Sequence, residues 1–543
     1  KSCTTFCHQT TPYAMQGDGS HIINGFTTSW DVDLDGKKEI FATRKNWLGN
    51  DGSVIAIRPD GSGYLQTPNA YLLSEYYQTE GNCFAGPAIG ELFDDGDPYV
   101  VSATYESTTS NEIRCMSTNF FDEEGEPIER WRITDAAASF AARPVVIADI
   151  DGDDMNEAVV VAINGRVMTY SGDGTLLNSS THAVSYRSAA VASVVPNNSH
   201  KQIIAPNGAS LSVIDENGNR IVPYCTNFTY RVSSPIVCDI DNDGKQEVIV
   251  CELKNDGSCD TYLVRFTSGG TQKEYLFTTS YIMDGFVDIL LAAGDMNGDH
   301  YPEIVANGLR EVVIYDYYNQ VETSVAKGYH GTGSCQIAPI IADVDGNGMP
   351  DAIYEEHYSE DYARIKALDY YGNAVEGFPL NIYGASNDGV HAADIDGDGK
   401  TEIVLATESG AMQIWKTKGD PNHIEWGYPR GNVQNTGVYG EVRYPMLVSN
   451  ANYSGTSTFH DDIYVMGNGV SASGTINMDD HRKIIVWNNG KVTMNNGNVN
   501  NAQIIVKDGG DVTINRSIVN LRDSKRFVVN KGGRFVLYSG TIK

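Results

Sequence analysis

The chain has 543 residues and a net charge of −31, with 70 acidic against 39 basic side chains. That balance argues against nucleic acid and anionic membrane surfaces as partners. No apolar run reaches the roughly eighteen residues of a transmembrane helix, and the length suits one long repeat array plus a smaller unit.

The chain opens on Lys1 with no visible signal peptide, which reads as a removed leader or an excised piece. Its nine cysteines form no CxxC pair and no zinc spacing. Cys3 and Cys7 could pair in a short N-terminal loop. Cys251 and Cys259 flank the turn signal Asn255-Asp256-Gly257 and could pair across it; free buried thiols fit equally well.

The first recurrent feature is Asp31-Val32-Asp33-Leu34-Asp35-Gly36, followed by Glu39. Acids at positions 1, 3 and 5 of a tight loop send their oxygens to one centre, the glycine permits the sharp turn, and the acid at position 9 closes the cage. Hard oxygen donors in that number suit calcium. An EF-hand would close with Glu at position 12 between helices; here the closing acid comes earlier and both flanks are β-like. A polar hairpin turn is the alternative for a single copy, but the arrangement recurs at intervals of about fifty residues.

The second copy, Glu91-Leu92-Phe93-Asp94-Asp95-Gly96, lacks the acid at position 3. The third has Asp149, Asp151, Asp153 and Glu157. The fourth, around Val194-Val195-Pro196-Asn197-Asn198, keeps its strands and loses its acids. The fifth has Asp239, Asp241, Asp243 and Glu247, and the sixth Asp295, Asn297, Asp299 and Glu303. The seventh has Asp343, Asp345, Asn347 and Asp351, and the eighth Asp394, Asp396, Asp398 and Glu402. Six copies retain enough oxygen ligands for a structural calcium ion, and no metal is assigned to copies two and four. Each copy sits between two apolar strands, with a third strand after a Gly or Asn turn and a weaker fourth. Four strands per fifty residues is the period of a propeller blade.

The recurring Asp-x-Asp-x-Asp-Gly-x-x-Glu/Asp followed by Ile or Val resembles the FG-GAP/VCBS repeats of integrin α-chain heads and of many secreted bacterial proteins. The resemblance covers roughly residues 15–440. It implies a β-propeller with calcium in the loop joining the first two strands of a blade. Eight copies imply eight blades, or seven if one degenerate copy is an insertion. The stretch Trp426-Gly427-Tyr428-Pro429-Arg430-Gly431-Asn432, with Asn435-Thr436-Gly437-Val438-Tyr439, resembles the closing segment after the last repeat in bacterial members. We expect ring closure to pair a strand near one terminus with the opposite terminal blade.

From about residue 447 the pattern changes. Ile463-Tyr464-Val465, Ile484-Ile485-Val486, Ile504-Ile505-Val506 and Phe527-Val528-Val529 recur about every twenty residues. The last three are followed by a turn and a second strand, such as Lys491-Val492-Thr493-Met494. A β-solenoid with two short strands per rung fits, with Asn495, Asn496, Asn498, Asn500 and Asn501 as candidates for an asparagine ladder. The last rung lacks a polar cap, so we expect the natural chain to continue; related bacterial proteins often carry a C-terminal sorting tail. The expected layout is an N-terminal segment over 1–14, a propeller over 15–440 and a solenoid over 441–543, all-β throughout.

No nucleophile elbow, zinc-protease helix or phosphate loop is present. His182, His200, His330, His357 and His391 are scattered, so catalytic residues are not assigned. Tyr71, Tyr76, Tyr77, Tyr317, Tyr318, Tyr354, Tyr358, Tyr370 and Tyr371 fall near inter-strand segments, where tyrosine either packs strands or stacks on sugars and protein partners. The leading expectation is a secreted or surface-exposed, monomeric, calcium-stabilised binding or adhesion module for a glycan or protein. The alternatives are a calcium-dependent lyase of the rhamnogalacturonan type, whose family also uses eight blades with such loops, and a structural scaffold.

Overall fold

The computed structural model describes residues 21–23, 27–33, 35–46, 51–61, 75–80, 86–93, 95–104, 111–121, 127–134, 144–153, 155–162, 164–181, 187–280, 291–328, 338–359, 362–382, 389–407, 412–440, 446–448, 451–459, 463–465, 470–478, 483–486, 490–507, 509–521, 527–530 and 532–543. The fold is all-β, an eight-bladed propeller and a β-solenoid. Its contacts define two compact units: Lys1–Phe93 with Asp97–Glu441, and Asp94–Gly96 with Val442–Lys543.

Each propeller blade is an antiparallel meander, as in blade 3, where Val146–Ala148, Glu157–Val161, Val167–Tyr170 and Leu176–Ser180 pair in sequence order. The innermost strands are short and rich in alanine: Ala190–Ala192 in blade 4, Leu291–Gly294 in blade 6 and His391–Ala393 in blade 8. Small side chains belong there because eight strands converge on one axis and leave little room. The second strands, such as Glu247–Leu253, are buried along their whole length because each faces a neighbouring blade on both sides. The fourth strands face solvent, and Val321–Ala326 is largely exposed.

Apolar clusters link successive blades and close the circle. Ile89 of blade 2 packs with Phe41 and Val54 of blade 1. At the seam, Ile40, Ala42 and Ile55 of blade 1 pack against Ala393, Ile395 and Val404 of blade 8. The Lys38 N–H donates to the Ile395 carbonyl across that seam (2.8 Å). Among the described residues blade 8 has three strands, Met412–Lys416 being the last, and no described strand from the other terminus pairs with it.

Instead, the chain turns inward after blade 8. Ile424–Trp426 pairs with the inner edge of blade 7, at Ile341–Ala342. Residues 427–439 then run around the inner strand edges, accepting from Ala392 N at Gly427 O (2.8 Å), Ile89 N at Val433 O (2.9 Å), Ile147 N at Gln434 O (2.9 Å), Val191 N at Thr436 O (3.0 Å) and Val237 N at Gly437 O (2.9 Å). The Tyr428 hydroxyl bonds Ser29 Oγ of blade 1 (2.9 Å). Blade 6 meets the segment at Gly294, where a Cβ would lie 2.6 Å from Glu425 Cβ. Arg430, fully buried, donates to Ala189 O (2.7 Å) and Pro235 O (3.0 Å). The sequence singled out this segment as a closing element; its work is to satisfy inner-edge backbone groups that would otherwise be stranded.

In the second unit, parallel ladders stack rung on rung, and a rung carries three strands where the sequence predicted two. Ile463–Val465, Val470–Ala472 and Thr475–Met478 form one rung and pair with Lys483–Val486, Lys491–Asn495 and Asn498–Asn500 of the next. The overlooked third strand alternates buried apolar residues, Ile476 and Met478, with polar ones. Its ladder runs through asparagine, Asn500 Nδ2 donating to Asn477 Oδ1 (2.9 Å) and Asn520 Nδ2 to Asn500 Oδ1 (2.7 Å). A shorter ladder joins Asn515 to Asn495 (3.2 Å).

Candidate metal cages

Every acidic loop connects the first strand of a blade to the second, and its backbone is organised by its own carboxylates. The position-1 acid collects amide donors from the turn: Asp239 accepts from Asp243 N (3.0 Å) and Gly244 N (2.8 Å), and Asp394 from Gly397 N (2.9 Å) and Gly399 N (3.1 Å). Position-5 oxygens accept from position 7, as Asp35 does from Lys37 N (2.8 Å), Asp153 from Met155 N (2.8 Å) and Asn347 from Met349 N (2.7 Å). Left-handed backbone is required within the turn, and Gly397 (φ 73°) also passes so close to Gly36 that a Cβ would sit 2.3 Å from its carbonyl oxygen.

The closing acid at position 9 is anchored to the backbone through a single oxygen. Ile150 N donates to Glu157 Oε2 (2.8 Å), Met296 N to Glu303 Oε2 (2.7 Å) and Ile395 N to Glu402 Oε2 (2.8 Å); Val32, Ile240 and Val344 do the same to Glu39, Glu247 and Asp351 (3.2 Å each). The other oxygen is turned into the loop. Glu39 Oε1 and Glu402 Oε1 are buried with no hydrogen-bond partner, as are Asp241 Oδ1 and Asp396 Oδ1. Buried carboxylate oxygens without a donor are costly unless a cation meets them.

Ligand oxygens of Asp31, Asp33 and Glu39 lie within 4.8 Å of one another, as do those of Asp149, Asp151 and Glu157, of Asp239, Asp241 and Glu247, and of Asp343, Asp345 and Asp351. Oxygens bound at about 2.4 Å to one calcium ion stand no more than about 5 Å apart, so the spacing fits. Protonation is the alternative way to relieve such crowding. Burial first, then neighbouring aspartates, push Glu39, Glu157, Glu303 and Asp351 up to about 8, and Asp31, Glu247 and Glu402 up to about 7.

Blade 6 departs from the expected set. The converging oxygens there belong to Asp299, Glu303 and Asp316. Asp295 is held by Gly298 N (2.7 Å) and His300 N (2.8 Å), and Asn297 Nδ2 donates to Glu303 Oε1 (2.7 Å). Asp316, at the end of the third strand and buried, was missed from the sequence. Its signal was the repeated Asp-Tyr-Tyr at Asp316-Tyr317-Tyr318 and Asp369-Tyr370-Tyr371, the first Asp ending a third strand and the second just past one.

The two degenerate loops are filled by other means. In blade 4, Gln202 stands where the closing acid would be, and its Oε1 accepts from Val194 N (3.0 Å) and Val195 N (2.9 Å). A neutral amide thus reproduces the anchor without a charge. In blade 2, Phe93 occupies position 3, packs edge-on against Tyr99 (4.7 Å) and carries the Arg130 guanidinium at 4.3 Å over its ring.

His391 is buried at the seam, shares a 2.6 Å hydrogen bond with Thr27 Oγ1 and stacks on Tyr428. Burial holds its pKa down at about 3, so it is a neutral packing group. His200 lies 3.4 Å from Glu216. His182, His330 and Tyr71 lie outside the described residues, as do Cys3 and Cys7, and the side chains of Tyr76, Tyr77, His357 and Tyr358 are likewise outside them. Cys251 and Cys259 are free thiols, with Cys251 opposite Thr261 and Cys259 opposite Leu253 in the strand register. Of the remaining tyrosines, Tyr354 is buried, Tyr317 and Tyr370 are half-buried, and Tyr318 and Tyr371 are 57% and 76% exposed. Tyr318 stacks flat on Tyr301 at 3.9 Å.

Residues 239–306, from the first acid of the blade 5 cage through the second strand of blade 6, match a family model described as an FG-GAP-like repeat. The chain therefore carries an FG-GAP-like repeat within an eight-bladed β-propeller that is joined to a β-solenoid. No curated protein matches the sequence. Among solved structures it is similar to the V. cholerae biofilm matrix protein Bap1, at 12% identity and a TM-score of 0.39, covering 77% of this chain and 93% of that one. It is also similar to Saccharomyces cerevisiae Sqt1, at 10% identity and a TM-score of 0.48, covering 73% and 96%. BBS1N in complex with ARL6DN gives 10% identity and a TM-score of 0.38, covering 74% and 94%. Among the described residues no helix is long and apolar enough to cross a membrane.

Proposed function

We propose that the protein is a secreted or cell-surface β-propeller, held together by about six structural calcium ions, that presents a binding surface to a glycan or an extracellular protein. The observation that carries the calcium reading is the set of buried, unpartnered oxygens of Glu39, Asp241, Asp396 and Glu402 directed into carboxylate loops. The ligands would be Asp31, Asp33, Asp35 and Glu39; Asp149, Asp151, Asp153 and Glu157; Asp239, Asp241, Asp243 and Glu247; Asp343, Asp345, Asn347 and Asp351; Asp394, Asp396, Asp398 and Glu402; and in blade 6 Asp316 beside Asp295, Asn297, Asp299 and Glu303. Calcium would pin each first hairpin and supply no reaction step. Loops built on exposed turns suit the millimolar calcium found outside cells. In this reading the propeller domain spans residues 15–440 and the solenoid 441–543.

The binding reading rests on surface chemistry. Residues 427–439 cover the inner strand edges of blades 8, 2, 3, 4 and 5, and the reading assigns ligand contact to the faces and the rim. The rim of blades 5 to 7 offers flat exposed rings at Tyr275, Tyr318 and Tyr371, of the kind that stack on sugars and anchor interfaces. The test is a glycan and protein binding screen on calcium-loaded protein, run beside an elimination assay on pectic and other uronate polysaccharides. Saturable binding without new ultraviolet absorbance supports the reading. Absorbance from unsaturated ends above a heat-killed control would make the protein a lyase instead.

A further inference from the structure

One third-strand residue faces each cage, directly opposite the closing acid. In blade 8 it is Lys416, paired with Glu402. Blades 1 and 5 place Arg58 and Arg265 there, one step past the pairs Ile40–Ile57 and Val248–Val264. The same step gives Ser171 in blade 3, Asp316 in blade 6 and Asp369 in blade 7. The basic residues all reach the acid at position 3. Arg265 Nη2 lies 3.0 Å from Asp241 Oδ2 and Arg58 Nη2 3.8 Å from Asp33 Oδ2. Lys416 Nζ contacts Asp396 Oδ2 and lies 2.8 Å from Asp398 Oδ2.

The contact is one-sided. Arg265 and Lys416 take Oδ2 and leave Oδ1 of Asp241 and Asp396 buried without a partner, and Glu402 Oε1 beside Lys416 is likewise unmet. The basic side chain therefore lowers the charge of the cage from its outer edge and leaves the inner oxygens to an ion. Asp316 does the opposite in blade 6, where it adds a charge: one of its oxygens lies within 4.8 Å of those of Asp299 and Glu303, while the carboxylate also accepts from Asn319 N (2.7 Å), Asn319 Nδ2 (2.9 Å), Tyr370 Oη (2.7 Å) and Asn297 Nδ2 (3.3 Å). Asp369 adds charge near Asp351, its own oxygens being held by Asn373 N (2.8 Å) and Asn373 Nδ2 (3.0 Å).

We infer that this third-strand position sorts the cages into two affinity classes: weak, exchangeable sites in blades 1, 5 and 8, where a resident Arg or Lys competes with the incoming ion, and tighter sites in blades 3, 6 and 7. The inference rests on the calcium reading above. It gives the weak sites of blades 8 and 1 a purpose, since those blades meet at the ring seam. There the resident cations partly neutralise the cages when calcium is scarce, and the seam stays closed.

The test is calorimetric titration of metal-free, full-length protein with calcium chloride at physiological salt. Two classes of sites are expected, separated by about tenfold or more, the scale set by a unit charge a few ångströms from a divalent ion. Lys416→Met and Arg265→Met should each move one site from the weak class to the tight class, and Asp316→Asn should move one the other way. Should Lys416→Met fail to fold without metal, Arg265→Met carries the same test from a blade away from the seam. A single class of sites, or isotherms unchanged by both Met variants, overturns the inference and leaves calcium binding standing. No calcium uptake by the wild type overturns the calcium reading itself.

Discussion

Glu402→Gln separates the two jobs of a closing acid. One oxygen anchors Ile395 N, and the other is buried and unpartnered. A glutamine keeps the anchor, as Gln202 does in blade 4, and removes the charge. Burial, with Asp394, Asp396 and Asp398 nearby, pushes the Glu402 carboxyl from 4.5 up to about 7. Ionising it in the metal-free fold at pH 8 therefore costs about 3 kcal/mol, at about 1.4 kcal/mol per pH unit. In excess chelator at that pH the variant should match the wild type or exceed it by up to that amount. In calcium at a hundredfold over Kd, the wild type gains about 2.7 kcal/mol from the site by mass action, and the variant loses that gain. The assay is urea unfolding followed by tryptophan fluorescence, in chelator and in saturating calcium. An equal loss of stability in both media would refute the reasoning, because it would make Glu402 a purely structural hydrogen-bonding group.

The metal-free protein should also lose stability as pH rises from about 4.5 to about 8. The carboxyls of Glu39, Glu157, Glu303 and Asp351 titrate near 8 in the fold and near their ordinary values when unfolded, so the native state binds more protons across that window. Saturating calcium should flatten this slope, which unfolding curves at a series of pH values will show. Gly294→Ala should destabilise the propeller by about 1–3 kcal/mol, because the new Cβ meets Glu425 at 2.6 Å in the closing segment; thermal unfolding reads it. Arg430→Met strands the Ala189 and Pro235 carbonyls and should cost about 2–4 kcal/mol in the same assay. Tyr318→Ala and Tyr371→Ala should weaken ligand binding while shifting stability by less than about 0.5 kcal/mol, since both rings are exposed.

The blades were legible because acid–glycine loops punctuate the chain at fixed spacing, and because the strands beside them are continuous apolar runs. Asp394 through Glu402 declares its geometry within nine residues of sequence. What was not legible depends on partners far away in the chain. The segment around Arg430 has no strand periodicity, and its bonds run to residues such as Ala189 and Ile89. Lys416, Arg265 and Asp316 look like ordinary strand-end charges until the register sets them opposite a closing acid. Gln202 could have been read as the neutral stand-in for a glutamate, but the loop before it is one residue longer and hides the alignment. In the solenoid, Thr475–Met478 escaped notice because it is short, with only Ile476 and Met478 facing the core between polar residues that carry an asparagine ladder.

The most direct test is to count the calcium. Protein stripped with chelator, equilibrated in millimolar calcium and analysed by equilibrium dialysis should hold about six ions per chain, and Glu402→Gln one fewer. A wild type that retains less than one ion per chain while fully folded would contradict the account.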